Sequence, residues 1–375
     1  MDRFVKPGPA RLVERAGKQL ERYDLAGNID RAIGDLREAT RQDASFTEAH
    51  ALLGLAWWRR YMQGNDVMNR SEAARSSSNA LALNPDSGLA LFVLGLVAKD
   101  QGNLEAAKDD LRRANDKFSW ENGEVLIQLA TVFSSLDDES NAMFFAQKAQ
   151  RVQQKPWYYY NSLGYFDFSQ GDVGGAQSNF EAALQIAGDS PKIWLNLGKV
   201  LVYQTNRDET DYARKCFTKS LDLSPTDAAY DGLGDLYFST SNWLDAAGTF
   251  QKAAERNPNR YDFPGKAGLS LIHLPETNYQ VQAREQLGKA VDKVQSLLKE
   301  TRDPMAEARL GVYHAALGQA KDAYAALRHA LESAPNLLQI RDNVEDAAGY
   351  FEEVYHNKTE AENLRQLIAN KADGK

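Results

Sequence analysis

The chain has 375 residues, of which 43% are hydrophobic and 26% charged, and its formal net charge is −8. That balance excludes a disordered chain, which lacks the apolar surface to offset its own conformational entropy. The acidic excess argues against a protein that holds nucleic acid or anionic lipid through a basic footprint, and a single cysteine, Cys216, excludes a disulfide scaffold.

Residues 1–10, ending in Pro7-Gly8-Pro9-Ala10, read as a linker and hold no apolar core of a signal peptide. From residue 11 to 335 apolar residues recur at intervals of three and four, the period of a helix. Over this stretch a compound signal repeats: a Leu-Gly pair, then about a dozen residues on Ala-x-x-x-(Phe or Leu)-x-x-Ala. Each copy predicts two helices. In the first unit Gly27 separates the halves and Asn28 is placed to cap the second helix. The second unit, with Gly54 and Ala73, carries about seven extra residues around Tyr61 to Asn69, which predict a longer turn between its helices. The third has Leu94-Gly95, then Gly102-Asn103, Ala107, Leu111 and Ala114. The fourth replaces the glycine by Ala130 and continues to Ala142. In the fifth, Leu163-Gly164 precedes Gly171-Asp172, Ala176, Phe180 and Ala183.

The sixth unit opens on Trp194 and Leu197-Gly198, with a short insertion around Asn206 to Thr210 before Ala213. On its second helix Cys216 is expected to be a half-buried, unreactive thiol, with no nearby His to activate it. The seventh holds Leu233-Gly234, Ala246, Phe250 and Ala253. The eighth, with Gly268 and Ala283, is interrupted near Pro275 to Asn278, and its second helix is expected to run on through Val291 and Val294 towards Pro304. The ninth has Leu310-Gly311, Gly318, Ala323, Leu327 and Ala330. Pro85, Pro191, Pro225, Pro258 and Pro335 close units, since a helix does not continue through proline. Residues 336–375 lose the signature but keep helical spacing. They predict a capping helix pair and a tail, with Glu352, Glu353 and Lys358 on a polar outer face.

Small residues at fixed places, with Leu or Phe three or four positions away, let neighbouring helices approach closely. This arrangement resembles the tetratricopeptide repeat family, down to the Trp at the start of a first helix in Trp194-x-x-Leu197-Gly198. The resemblance implies an all-α fold: a right-handed superhelical solenoid of about nine helix-turn-helix units over residues 11–335, followed by the capping pair. Arg22-Tyr23-Asp24 with Asn28-Ile29-Asp30-Arg31-Ala32-Ile33, and Trp57-Trp58-Arg59-Arg60-Tyr61, also resemble repeat arrays appended to bacterial signalling proteins such as serine/threonine kinases and nucleotide cyclases. The His-Arg-Asp and Asp-Phe-Gly triplets of kinases are absent, so their chemistry does not carry over.

The five histidines show no metal-ligand spacing, and Gly232-Leu233-Gly234 lacks the third glycine and the preceding strand of a dinucleotide fingerprint. The expectation is therefore a binding protein and not an enzyme, with no cofactor, no metal and no small-molecule substrate. In the resembled family the first helix of each unit lines the concave wall. Phase from each Leu-Gly pair places Trp58, Phe92, Ile127, Tyr158, Asn161, Tyr165, Phe168, Lys199, Asp231, Asp235 and Phe238 there. Tyr158, Asn161, Tyr165 and Phe168 share one helical face, where aromatic rings would anchor apolar side chains and Asn161 would pair with a peptide backbone. The predicted partner is a protein or peptide, with no nucleic acid and no membrane insertion, in the cytoplasm. The alternative is the sensory or docking region of a larger signalling enzyme, a kinase or cyclase, separated from its catalytic domain.

Overall fold

The computed structural model describes residues 7–64, 66–118, 122–203, 207–334 and 338–372. Every regular element among them is helical, and no strand occurs. Two compact units divide the chain, residues 1–203 and 204–375. The sequence features at Asn206, Pro335 and Leu337, and residues 1–6 of the linker, lie outside the described residues.

Unit 1 is a run of helix pairs. They are α1 (Pro9–Glu21) with α2 (Asn28–Gln42), α3 (Thr47–Gly64) with α4 (Val67–Leu83), and α5 (Gly88–Asp100) with α6 (Leu104–Lys117). Then come α7 (Gly123–Ser135) with α8 (Glu139–Gln150), α9 (Trp157–Ser169) with α10 (Val173–Ile186), and the single α11 (Pro191–Leu201). Each helix packs on its partner, and successive pairs meet through α2 on α3, α4 on α5, α6 on α7 and α10 on α11; first helices also touch first helices, as α1 meets α3, α3 meets α5, and α7 meets α9. In unit 2, α12 (Arg207–Leu223) precedes α13 (Asp227–Ser239) with α14 (Trp243–Arg256), and α15 (Asp262–Leu271) with α16 (Thr277–Glu300). The pair α17 (Pro304–Ala316) and α18 (Ala320–Ser333) follows, and then α19 (Leu338–Gly349), a short π-helical turn (Tyr350–Val354) and α20 (Lys358–Ala372).

The packing rule is a glycine facing a large residue sixteen positions later. A Cβ on Gly95 would meet Leu111 at 2.7 Å, one on Gly164 would meet Phe180 at 3.0 Å, and Gly234 and Gly311 face Phe250 and Leu327 in the same way. Only glycine lets the second helix bring that side chain so close. Where the sequence is longer, the register absorbs it. Gly54 faces Ser77 and Gly268 faces Leu287, so the second and eighth units carry seven and three extra residues between the facing positions.

The extra residues of the second unit do not form the longer turn expected from the sequence. They extend both helices, to 18 residues in α3 and 17 in α4, because an added helical turn satisfies its own backbone hydrogen bonds where a loop would need other partners. Residues 207–210 of the sixth unit likewise belong to the start of α12, and α16 runs for 24 residues, through Val291 and Val294 to Glu300. Gly27, Gly102, Gly171 and Gly318 all adopt left-handed backbone between helices, with φ near +77°. Asn103 and Asp172 cap α6 and α10 by accepting from Ala106 N and Gly175 N. Asn28 does not cap: Gly27 holds that position, and the Asn28 amide donates to the Arg22 carbonyl. Pro85, Pro225 and Pro258 follow α4, α12 and α14, whereas Pro191 opens α11, where its missing N–H costs nothing.

Candidate functional site

In unit 1 the first helices α3, α7, α9 and α11 converge on the turn that joins α1 to α2. Tyr23, at the tip of that turn, is 5% exposed. Its ring packs on Trp157 of α9 at a centroid distance of 4.8 Å, and the Arg59 guanidinium of α3 lies 4.3 Å from the ring centre. Lys192 of α11 approaches the same ring at 5.6 Å. These are attractive geometries for a cation and an aromatic face. Trp157 Nε1 donates to the Glu21 carbonyl at 2.8 Å, and Gln63 Nε2 donates to the Tyr23 carbonyl at 3.5 Å. Arg22 donates to both carboxylate oxygens of Asp24 at 3.0 Å and to Asp189 at 2.6 Å. The turn is thereby tied to residues more than 130 positions away.

Charge around Tyr23 is tightly organised. Arg59 Nη2 donates to Glu124 Oε1 of α7 at 2.6 Å, and both side chains are nearly buried. Burial opposes the Arg59 charge, but Glu124 and Tyr23 outweigh it and hold the guanidinium pKa up. Asn122 caps α7 through Glu124 N and Val125 N, which fixes the start of the helix carrying that carboxylate. Lys192 makes no such ion pair among the described residues: burial first, and the Arg59 charge second, depress its pKa to about 8 against the weaker attraction of Glu124 and Asp24. Burial raises the Tyr23 phenol well above its ordinary value. A cavity of about 480 Å³ opens beside the turn, lined among others by Glu21, Arg22, Glu124, Lys155, Trp157 and Tyr158.

The residues expected on the wall of unit 1 separate into two sets. Trp58, Phe92 and Ile127 are buried, at 5%, 3% and 1% exposure, in contact with core residues of neighbouring helices. Asn161 is also buried, and its Oδ1 accepts from Asn196 Nδ2 at 2.7 Å. The Asn196 Oδ1 in turn accepts from the Tyr165 hydroxyl at 2.6 Å. Asn161 thus braces a neighbouring helix, and its carbonyl is already engaged. Tyr158 is half-buried at the cavity. Tyr165 remains 47% exposed along its ring while its hydroxyl is held, and burial at that end pushes the phenol up to about 12. Phe168 packs edge-on against Tyr203 at 4.9 Å, Tyr203 is 68% exposed, and Lys199 is exposed on the same helix run. Tyr203, which lies just past the end of α11, and Tyr23, Arg59, Glu124 and Lys192 are not among the residues that helical phase places on the wall.

In unit 2, Asp231 and Asp235 of α13 are joined by Lys266 of α15, at 2.6 Å and 2.9 Å. Burial works against the lysine charge, but the two carboxylates prevail and its pKa is raised. Phe238 is half-buried, edge-on to Trp243 at 5.0 Å, and Trp243 stacks on His273 at 4.1 Å. Cys216 is fully buried, more than the half-burial expected. Among the described residues, no cluster of three or more His, Cys, Asp or Glu is placed to hold a metal, and no helix is long and apolar enough to cross a membrane.

Residues 61–119 match the tetratricopeptide repeat family. No curated protein sequence matches the chain. Among solved structures, the chain is similar to the Cut9–Hcn1 hetero-tetramer of the APC/C, with a TM-score of 0.58 at 14% identity. That match covers 80% of this chain and 54% of the other, so the chain spans about half the length of that relative. It is also similar to human IFIT1 as a dimer with m7Gppp-AAAA, with a TM-score of 0.56 at 13% identity over 96% of this chain and 95% of that one. At such identities the likeness concerns the fold alone. Joined to the helix pairs and their sixteen-residue glycine register, these matches show a tetratricopeptide-repeat fold, with the family's own sequence signature over residues 61–119.

Proposed function

We propose that the chain is a protein-interaction scaffold whose unit 1 takes a partner segment on its first-helix face, at the patch formed by Tyr165, Phe168, Lys199 and Tyr203. The tetratricopeptide fold supports an interaction role, because stacked pairs present side chains from many short helices on one continuous face. The observation that carries the location is the state of Tyr165. Its ring is 47% exposed, yet the ladder through Asn196 to Asn161 fixes its hydroxyl. A pre-positioned aromatic surface loses little entropy on binding and makes a good anchor. Phe168 and Tyr203 extend the apolar surface, and Lys199 adds a cation suited to a carboxylate on the partner. On this reading the protein works in the cytoplasm by binding alone, with no cofactor and no nucleic acid, in keeping with its net charge of −8.

The test combines Tyr165→Ala, Phe168→Ala and Tyr203→Ala, with Gln147→Ala on α8 as a control. A displayed random-peptide library is panned on the wild-type protein, and the enriched peptides are then titrated against each variant. Loss of two aromatic anchors or more is expected to weaken binding by about 2 kcal/mol or more, with the control unchanged and circular dichroism confirming the fold. Equal binding to the folded triple variant would move the site elsewhere.

A further inference from the structure

The turn that joins α1 to α2 seats Tyr23 against Arg59 of α3, Trp157 of α9 and Lys192 of α11. α1 is buried on α2 and α3 through Leu12, Val13, Ala16 and Leu20, independently of the turn. The Arg59–Glu124 pair joins α3 to α7 without help from the turn. What the turn adds is a set of recognition contacts: one aromatic ring between two cations and an indole, one carbonyl accepting from Trp157 Nε1, and one arginine on Asp189. These contacts are incomplete. Among the described residues, Arg59 Nε is buried with no hydrogen-bond partner, and Lys192 lies against the ring with no carboxylate within ion-pair distance. Glu124 engages Arg59 at one end only, leaving its Nε, and it attracts Lys192 only from beyond ion-pair distance, so an anion brought in beside the ring would find an open donor and a cation.

We infer that the α1–α2 turn is an intramolecular occupant of a recognition cradle formed by Arg59, Trp157 and Lys192, and that an external peptide segment carrying an aromatic residue next to a carboxylate competes with it. The sequence of the occupant states the required chemistry: Tyr23 supplies the ring, and Asp24, whose carboxylate is spent on Arg22, is followed by no second acid. A partner whose acid is free for Lys192 would gain an ion pair that the turn lacks. The depressed pKa of Lys192, about 8, agrees with a cation awaiting such a partner. Because the turn blocks the cradle, apparent affinity is reduced by the fraction of molecules in which it is released.

The inference rests on the first-helix face of unit 1 being a recognition face, and one assay separates the two ideas. A fluorescent peptide copying residues 19–27 is titrated by anisotropy against the full chain, with a scrambled peptide as control. Tyr23→Ala, which empties the cradle, is expected to bind the peptide at least about tenfold more tightly than wild type. Equal binding, or no binding to the folded Tyr23→Ala protein, overturns the inference. Should Tyr23→Ala not fold, Arg22→Ala decides. It cuts the tie to Asp189 and leaves the ring in place, so affinity should rise about threefold, and no rise overturns the inference. Adding Tyr165→Ala, Phe168→Ala and Tyr203→Ala to the Tyr23→Ala background should leave peptide binding unchanged. Loss of binding there would put the peptide on the patch and not in the cradle.

Discussion

At Gly234 an added Cβ would meet the Phe250 ring at 2.5 Å, whereas at Gly34, also inside a helix, it would meet nothing within 4 Å. The same residue type therefore does opposite things. Gly234→Ala forces Phe250 off its seat and should destabilise by about 1–3 kcal/mol. Gly34→Ala removes backbone entropy from the unfolded chain and should stabilise by about 0.5–1 kcal/mol. Urea melts of the two variants check the sign at each site. Lys192 makes a second residue-scale prediction. Its folded pKa, about 8, lies below the ordinary lysine value, so the unfolded chain binds the extra proton in between. Stability contributed through this group therefore rises as pH passes from below 8 towards the ordinary lysine value. The melting temperature of Lys192→Met should exceed that of wild type most at neutral pH, and the gap should narrow by pH about 9.5. A gap that is constant across this range would show Lys192 to be fully solvated.

The helix ends were readable because their chemistry is local. Left-handed residues terminate first helices at Gly102, Gly171 and Gly318, and the same conformation is held without glycine at Asp137 and Ser241, with φ of 57° and 59°. A Cβ in that conformation costs about 1–2 kcal/mol. Ser241→Gly should accordingly raise stability by about 1 kcal/mol, and Gly171→Ser should lower it by a similar amount, both read from thermal melts. A null result at Ser241 would mean that its side chain compensates the strain. The failures at this scale are equally local in cause. Asn28 looked like a cap by type, but a glycine stands at the cap position and the side chain is drawn to the Arg22 carbonyl. The second-unit insertion was visible in length but not in form. The extra residues lengthen α3 and α4, Asp66 caps the start of α4 by accepting from Met68 N, and the facing pair Gly54 and Ser77 marks the shifted register.

At the scale of the molecule, what repeats in the sequence could be read and what occurs once could not. Period and small-residue spacing specify contacts between neighbouring helices, so the helix pairs follow from the sequence. The contact of Tyr23 with Trp157 and Lys192 joins positions 134 and 169 residues apart, and no periodic signal marks it. Phase placed Trp58, Phe92 and Asn161 on first helices but could not say that neighbouring rows would cover them. The same nearest-neighbour logic governs stability. In unit 2, Ile340, Val344, Ala347, Phe351, Leu364 and Leu367 share one core with Ala308, Val312 and Ala316 of α17. The Tyr355 hydroxyl also donates to the Ala316 carbonyl at 2.7 Å. Deleting residues 338–375 strips this cover from α17 and α18 and leaves apolar side chains and the end of α17 in water. Each unit of such a stack is held mainly by its immediate neighbours, so the damage should fade with distance along the chain. Hydrogen exchange in the truncated protein should accelerate most in α17 and α18, less in α15 and α16, and not in α1 to α10. Light scattering should report association through the exposed end. Uniform acceleration reaching α1 would instead reveal one globally coupled core, in which the loss of a terminal pair is felt everywhere at once.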